Sequence, residues 1–303
     1  MQKKSFIQKT LKNSQLWVLC FSAVIFLLVF RFYPMYGAQL AFKDYNPLAG
    51  ITGSPWVGFE HFIEFFRNYI SSRIILNTLL LSSLTLLISF PFPVLLALLL
   101  NSLKNAFFKK SVQMVTYIPY FISTVVMVTI ITEVLNPHDG LVTLILRFFR
   151  LPVNNILAQP ELFRPIYIIS HIWQNSGYSA VVYLASLSAV NPVLYEAAII
   201  DGANKWQRIL HIDIPGIMPT IAVIFILNTG HIMNIGFEKV FLLQNDLNLI
   251  TSEIITTYVY KIGLVNANFS FAAAVGLFNS FVNLVLLFSV NQFLKKFLRH
   301  SMW

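Results

Sequence analysis

Long apolar runs alternate with short polar intervals along the whole chain. Six of the runs can cross about 30 Å of hydrocarbon as α-helices. They lie near Leu16–Met35, Ile74–Leu99, Val112–Leu135, Ile166–Val190, Ile217–Ile235 and Phe271–Leu294. The interval from Tyr36 to Arg73 holds the turn formers Asn46-Pro47, Gly50, Gly53-Ser54-Pro55 and Gly58. An amphipathic stretch, Glu60 to Phe66, follows and suits a helix lying along a membrane surface. Asn136 to Pro165 is a loop of turn residues and mixed charge, and Gly236 to Phe269 contains a helix-like Glu253 to Lys261. Pro91, Pro93 and Pro119 fall inside spans, where they bend helices and free carbonyls that a packed bundle can satisfy. The pattern predicts an all-α integral membrane protein: a segment 1–15, one six-helix membrane domain over 16–294, and a tail 295–303.

Composition agrees. Of 303 residues, 57% are hydrophobic and 11% are charged, against about 25% charged in a soluble domain. Mean hydropathy is +0.71. With the N-terminus inside, the cytoplasmic segments hold Lys3, Lys4, Lys9, Lys12, Lys104, Lys109, Lys110, Lys205, Arg208, Lys295, Lys296 and Arg299. The external segments are longer and sparser in basic residues, so the positive-inside rule places both termini in the cytoplasm. The loop 191–216 is then cytoplasmic too. The net charge of +9 is carried largely by residues flanking helices, facing anionic lipid head groups. With no aromatic-basic module outside the spans, no nucleic-acid partner is expected. The N-terminus has a basic stretch before an apolar run, as a signal peptide does. That run is long and no cleavage site follows, so it reads as a retained first helix. Cys20 is the sole cysteine, which excludes an intrachain disulfide and a cysteine-based zinc site.

The loop 191–216 carries its own local code. Asn191 suits a helix N-cap, Pro192 a first turn and Gly202 a left-handed stop. Leu194, Ala197, Ala198 and Asp201 share one face at helical spacing, with Glu196, Ile199 and Ile200 opposite. Such a helix can be buried on both sides. Asn204 suits a second N-cap, and Pro215 is expected to terminate or kink that helix.

The same stretch reads Glu196-Ala197-Ala198, three residues, Gly202, nine residues, Ile212, two residues, Pro215. It resembles the EAA loop of ABC importer permeases, which forms a short coupling helix inserted into a cytoplasmic ATPase. The resemblance implies a type I permease in the cell membrane that does not hydrolyse ATP itself. It assigns ATPase coupling to Glu196, Ala197, Ala198, Asp201, Gly202, Ala203, Ile212 and Pro215. It also implies that ATP and Mg are used by the partner ATPase, with no cofactor bound by this chain.

Further segments look like the carbohydrate-uptake branch, relatives of the larger permease subunit of the maltose importer. They include Asn136-Pro137, Arg164 to Tyr167, Ile172-Trp173-Gln174, Gly236 to Leu243, Thr257 to Tyr260 and Ala274 to Asn279. Extra N-terminal spans and a large external domain are missing relative to that subunit. The branch implies a heterodimer with a second homologous permease, an ATP-binding cassette ATPase dimer and an extracytoplasmic sugar-binding protein. The expected function is import of an oligosaccharide or polysaccharide fragment by alternating access. Import of another small solute is the alternative within the class.

Sugar recognition needs groups that both donate and accept hydrogen bonds, together with flat apolar faces. Trp173, Gln174, Asn175 and Tyr178 cluster in the fourth span, Asn228, His231 and Asn234 recur in the fifth, and Asn279 and Asn283 stack in the sixth. Polar groups in spans line water-filled paths or join neighbouring helices; both roles stay open for these nine. His231 has no second ligand at metal spacing on its helix. The phosphate-loop, zinc-helix and nucleophile-elbow signatures of enzymes are all missing from the chain, which leaves an intramembrane enzyme as the second hypothesis behind the importer. A solo channel or ion-coupled carrier would not need the Glu196 to Pro215 pattern.

Overall fold

The computed structural model describes residues 14–230 and 232–298. They are helical throughout, joined by turns, with one isolated β-bridge between Lys43 and Trp56. The helices used below are α1 (Ser14–Leu27), α2 (Glu60–Arg67), α3 (Tyr69–Ser89), α4 (Pro91–Ser102), α5 (Ala106–Tyr117), α6 (Thr124–Val134), α7 (Leu141–Phe148), α8 (Pro160–Ser188), α9 (Pro192–Ile200), α10 (Lys205–Arg208), α11 (Ile214–Thr229), α12 (Phe237–Leu243), α13 (Ile255–Tyr260) and α14 (Phe269–Leu298).

Among the described residues, four continuous helical stretches are long and apolar enough to cross a membrane: Cys20–Phe42, Tyr69–Ser102, Lys205–Thr229 and Phe269–Phe293. Two bent pairs, Ala106–Phe121 with Thr124–Val134 and Pro160–Ser188 with Pro192–Ile200, pass the same test of length and composition, and the total is six if each pair is one span. The third span, expected near Val112–Leu135 with Pro119 bending it, is a pair of helices. It breaks by 102°, because Pro119 sits in a 3-10 turn at Ile118–Phe121 and Ser123 caps the restart by accepting from the Val126 amide. Pro91, by contrast, starts α4 with only Phe90 between it and α3, and the Phe90 amide still reaches the Leu86 carbonyl at 3.0 Å. The fifth span ends early: α11 stops at Thr229, and a 3-10 turn covers Ile232–Asn234.

The chain divides into two compact units. Of the described residues, one takes those before Asn68 together with Val259–Leu277; the other takes Asn68–Tyr258 and those from Phe278 to Leu298. In the first unit, Phe42 packs against Phe59 and Phe62 of the amphipathic stretch, and Phe65 of α2 is buried against Phe271. Lys43 lies over the Trp56 ring at 4.9 Å and donates to the Ile51 carbonyl.

The second unit holds two apolar clusters. Leu81, Met127, Phe163, Tyr167, Val240 and Ile254 form one. Ala97, Leu98, Ala180, Tyr183, Leu187 and Ile217 form the other. Buried Asn77 of α3 ties this unit together. Its amide donates to the Ile250 and Glu253 carbonyls, and its oxygen accepts from the Arg164 guanidinium at 2.9 Å. Where α8 meets α5, a Cβ on Gly177 would stand 1.9 Å from the Thr116 carbonyl oxygen, so only glycine allows that approach.

Candidate functional site

A cavity of about 690 Å³ lies inside the second unit, between α3, α8 and α11. Helix α3 lends it Ser82, Thr85 and Ser89, at positions i, i+3 and i+7 on one face. Helix α8 lends His171, Asn175, Tyr178 and Ser179, again one face, and α11 lends Leu227 and Asn228. Tyr120, from the break in the third span, stacks on Tyr178 with ring centroids 4.0 Å apart and planes 9° from parallel. None of the described lining residues is Asp, Glu, Lys or Arg. The wall can exchange hydrogen bonds in both directions and offers flat aromatic faces, a chemistry suited to polyhydroxylated molecules.

Three of the nine residues singled out from the sequence border this cavity: Asn175, Tyr178 and Asn228. Gln174 is engaged elsewhere. Its amide donates to the Ile122 carbonyl at 3.3 Å, in the break between α5 and α6, and its oxygen accepts from Lys239. Asn283 accepts from the Met233 amide at 2.9 Å and so holds the turn after α11. Trp173 is half exposed on α8 and Asn279 is buried on α14, and neither is among the described lining residues. Asn234 belongs to the 3-10 turn; His231 lies outside the described residues. Sequence reasoning missed Ser82, Thr85, Ser89, Tyr120 and His171. The serine and threonine spacing on an apolar span was the available signal for the first three.

Lys239, on α12 and outside the spans, is 4% exposed. Its ammonium lies 3.4 Å from the Gln174 oxygen and 5.5 Å from the centre of the Tyr167 ring. Burial pushes its pKa down to about 8.

The coupling segment has a different construction. Asn191 accepts from the Val193 amide at 3.0 Å and caps α9. The helix ends in a Schellman turn: the Gly202 amide reaches the Ile199 carbonyl and the Ala203 amide reaches that of Ala198. Gly202 takes φ +78°, which glycine adopts without strain. Asn204 and Gln207 then form a reciprocal capping box on α10. Pro215 does not stop this helix. A π-helical turn at Ile209–Asp213 precedes it, Pro215 falls in the first turn of α11, and the helix runs on to Thr229. The widened turn accommodates the ring and the missing N–H.

Helix α9 buries no residue against its own chain; Glu196 is exposed and Ile200 is 84% exposed. Ala198 and Ala203 are half-buried, and Ala197, Asp201 and Gly202 are exposed. Ile212 is half-buried and Pro215 exposed in the stretch that follows. The Tyr195 hydroxyl ties α9 back to the bundle: it donates to the Asp213 carboxylate, which is 5% exposed. Burial first, and then the bond to Asp213 and its charge, push the Tyr195 pKa up to about 12.

Residues 89–299 match the family of binding-protein-dependent transport system inner membrane components. The polygalacturonan/rhamnogalacturonan transport system permease protein YteP of Bacillus subtilis is 42% identical, over 98% of this chain and 92% of that protein. Protein LplB of the same organism is 38% identical over 94% and 90%. A chain in the crystal structure of a bacterial alginate ABC transporter, in complex with alginate pentasaccharide-bound periplasmic protein, superposes with a TM-score of 0.90. It is 38% identical and is matched over 99% of its length and 98% of this chain. The chain belongs to the binding-protein-dependent transport system inner membrane components: it is a multi-pass membrane permease subunit of an ABC importer, with ATP hydrolysis left to a separate ATPase.

Proposed function

We propose that this permease passes fragments of an acidic polysaccharide into the cytoplasm. The observation that carries the reading is the chain path. Helix α8 forms one cavity wall and leads through Ala189–Asn191 into α9, and the same segment continues into α11, another wall. A tilt of α9 therefore moves two walls of the cavity. In this reading both termini and the loop 191–216 are cytoplasmic, and the exposed face of α9, with Glu196, Ile199 and Ile200, seats in a cleft of the ATPase dimer. A second, homologous permease completes the path, and an external binding protein delivers the sugar. ATP binding closes the ATPase dimer, and α9 passes that motion to α8 and α11.

The substrate class draws on two supports. The described lining carries hydroxyls, amides and stacked tyrosines but no carboxylate that would repel an anion. Relatives are described as transporting polygalacturonan/rhamnogalacturonan and the acidic polysaccharide alginate. The test reconstitutes the permease pair, its ATPase and its binding protein in liposomes and measures uptake of labelled trigalacturonate against maltotriose. ATP-dependent uptake of trigalacturonate in clear excess is expected. Equal uptake of both, or preference for maltotriose, overturns the acidic assignment; uptake of neither overturns the sugar reading.

A further inference from the structure

On α3, the side chains of Ser82, Thr85 and Ser89 are 2%, 5% and 9% exposed. All three border the cavity. Their hydroxyl oxygens are buried, and none of the three makes a hydrogen bond. This departs from the usual behaviour of such residues in a helix, where the hydroxyl bonds back to a carbonyl one turn earlier. Other hydroxyls of this protein do so: Thr78 bonds to the Ile74 carbonyl, Thr116 to that of Val112 and Thr229 to that of Phe225. Thr78 lies on the same α3 face, one turn before Ser82, so the helix itself permits the bond. A buried hydroxyl left unsatisfied carries a desolvation penalty. Three in a row along one cavity wall, each oxygen closed off from the cavity as it stands, fit a wall that meets its partners when the surrounding helices part during transport.

We infer that Ser82, Thr85 and Ser89 form a hydroxyl ladder that binds the hydroxyl groups of a passing sugar chain, opposite the Asn175 and Asn228 walls. This rests on the importer reading and extends it to a helix that the coupling segment does not join directly. At a rise of about 1.5 Å per residue the ladder spans about 10 Å, more than one sugar ring. A chain can thus exchange one rung for the next without leaving the wall. Serine and threonine hydroxyls rotate to donate or accept, so successive rungs accept sugar hydroxyls in either sense. Each contact is weak, which favours passage over retention.

Two measurements test the ladder on the complete reconstituted complex. The first compares Thr85→Val, Thr85→Ser and the triple variant Ser82→Ala, Thr85→Val, Ser89→Ala in trigalacturonate uptake. Loss of one hydroxyl should raise KM about 2- to 10-fold, the triple variant should raise it further, and Thr85→Ser should restore the wild-type value. Unchanged KM in the triple variant overturns the ladder. So does a fall in kcat alone that Thr85→Ser fails to restore, since that marks a structural role.

The second measurement needs no transported sugar. Single cysteines at 82, 85 and 89, in a Cys20→Ser background, should react with a charged, water-soluble methanethiosulfonate in the nucleotide-free or the vanadate-trapped state. A control cysteine at Leu87, an exposed residue at the other side of α3, should not react. Trigalacturonate should slow the reaction at all three rungs. Rungs that never react lie off the aqueous path, and the ladder is then wrong. Rungs that react without protection, in a complex that transports the sugar, line water only and also overturn it. If the wild-type complex transports no trigalacturonate, the acidic-sugar reading fails, while reactivity of the rungs still decides whether α3 faces the path.

Discussion

Helix α9 is shaped by bonds that close between Asn191 and Ala203, whereas the cavity takes its walls from residues spread between Ser82 and Ile235. The first is a local object. Its cap, its left-handed stop and the capping box that follows are each satisfied by a neighbour in sequence, and it exposes its apolar side chains to whatever docks there. The second exists only because three helices, distant in sequence, pack at fixed separations. Damage to the loop should leave the cavity intact, and damage to helix packing should not leave the loop's function intact.

Gly177→Ala should have the largest effect. A Cβ there meets the Thr116 carbonyl carbon and oxygen at 2.4 and 1.9 Å. Backbone cannot swing aside as a flexible side chain does, so α5 must move away from α8. Overpacking of this kind costs about 1–3 kcal/mol or more. The variant should lower the unfolding temperature of the purified complex and abolish uptake. A normal melting curve with normal uptake would mean the α5–α8 contact is not what fixes the cavity.

Gly202→Val comes next. At φ +78° a β-branched residue costs about 1–3 kcal/mol, here confined to the end of α9. The complex should still bind the loaded binding protein, but sugar-stimulated ATP hydrolysis should fall at least tenfold. Co-purification of the ATPase and hydrolysis with and without loaded binding protein check this. Wild-type stimulation in Gly202→Val and in Glu196→Lys together would remove coupling from this loop.

Tyr195→Phe should be milder. It removes the hydroxyl that donates to Asp213 and leaves a buried carboxylate short of one donor, a loss of about 1–3 kcal/mol. Stimulated hydrolysis and uptake should drop several-fold while KM for sugar holds. A rise in KM with full stimulation would place Tyr195 on the sugar path instead.

Lys239→Met should change transport least and stability measurably. Burial holds the folded-state pKa near 8, below the ordinary 10.5. Between those values the unfolded chain binds more protons, so wild-type stability rises as pH rises through that window. At pH 7 the buried charge costs about 1–3 kcal/mol, and methionine removes it. The variant should melt higher than wild type at pH 7, and the gap should narrow by pH 9.5. A constant gap would mean that the charge of Lys239 is not the destabilising feature.

The sequence alone carried the all-α membrane class, the six apolar runs and nearly every detail of α9. Asn191, Gly202 and Asn204 act within a few residues of themselves, so their types and spacing suffice to foretell cap, stop and restart. Pro215 escaped that logic, because a π-helical turn upstream absorbs it, and such a turn has no fixed residue signature. The third span also escaped, since proline position does not say how far a helix bends. Among the polar residues of the spans, periodicity assigned faces but not neighbours. Asn175 and Asn228 face the cavity while Asn283 holds a backbone turn, and all three are the same residue type in the same kind of helix. Hydrophobic pattern records which residues leave water, and capping chemistry records where helices start and stop; both are written in short stretches of chain. Whether a buried polar group meets a backbone amide or an open cavity depends on which helix packs opposite it, and only the tertiary structure decided that.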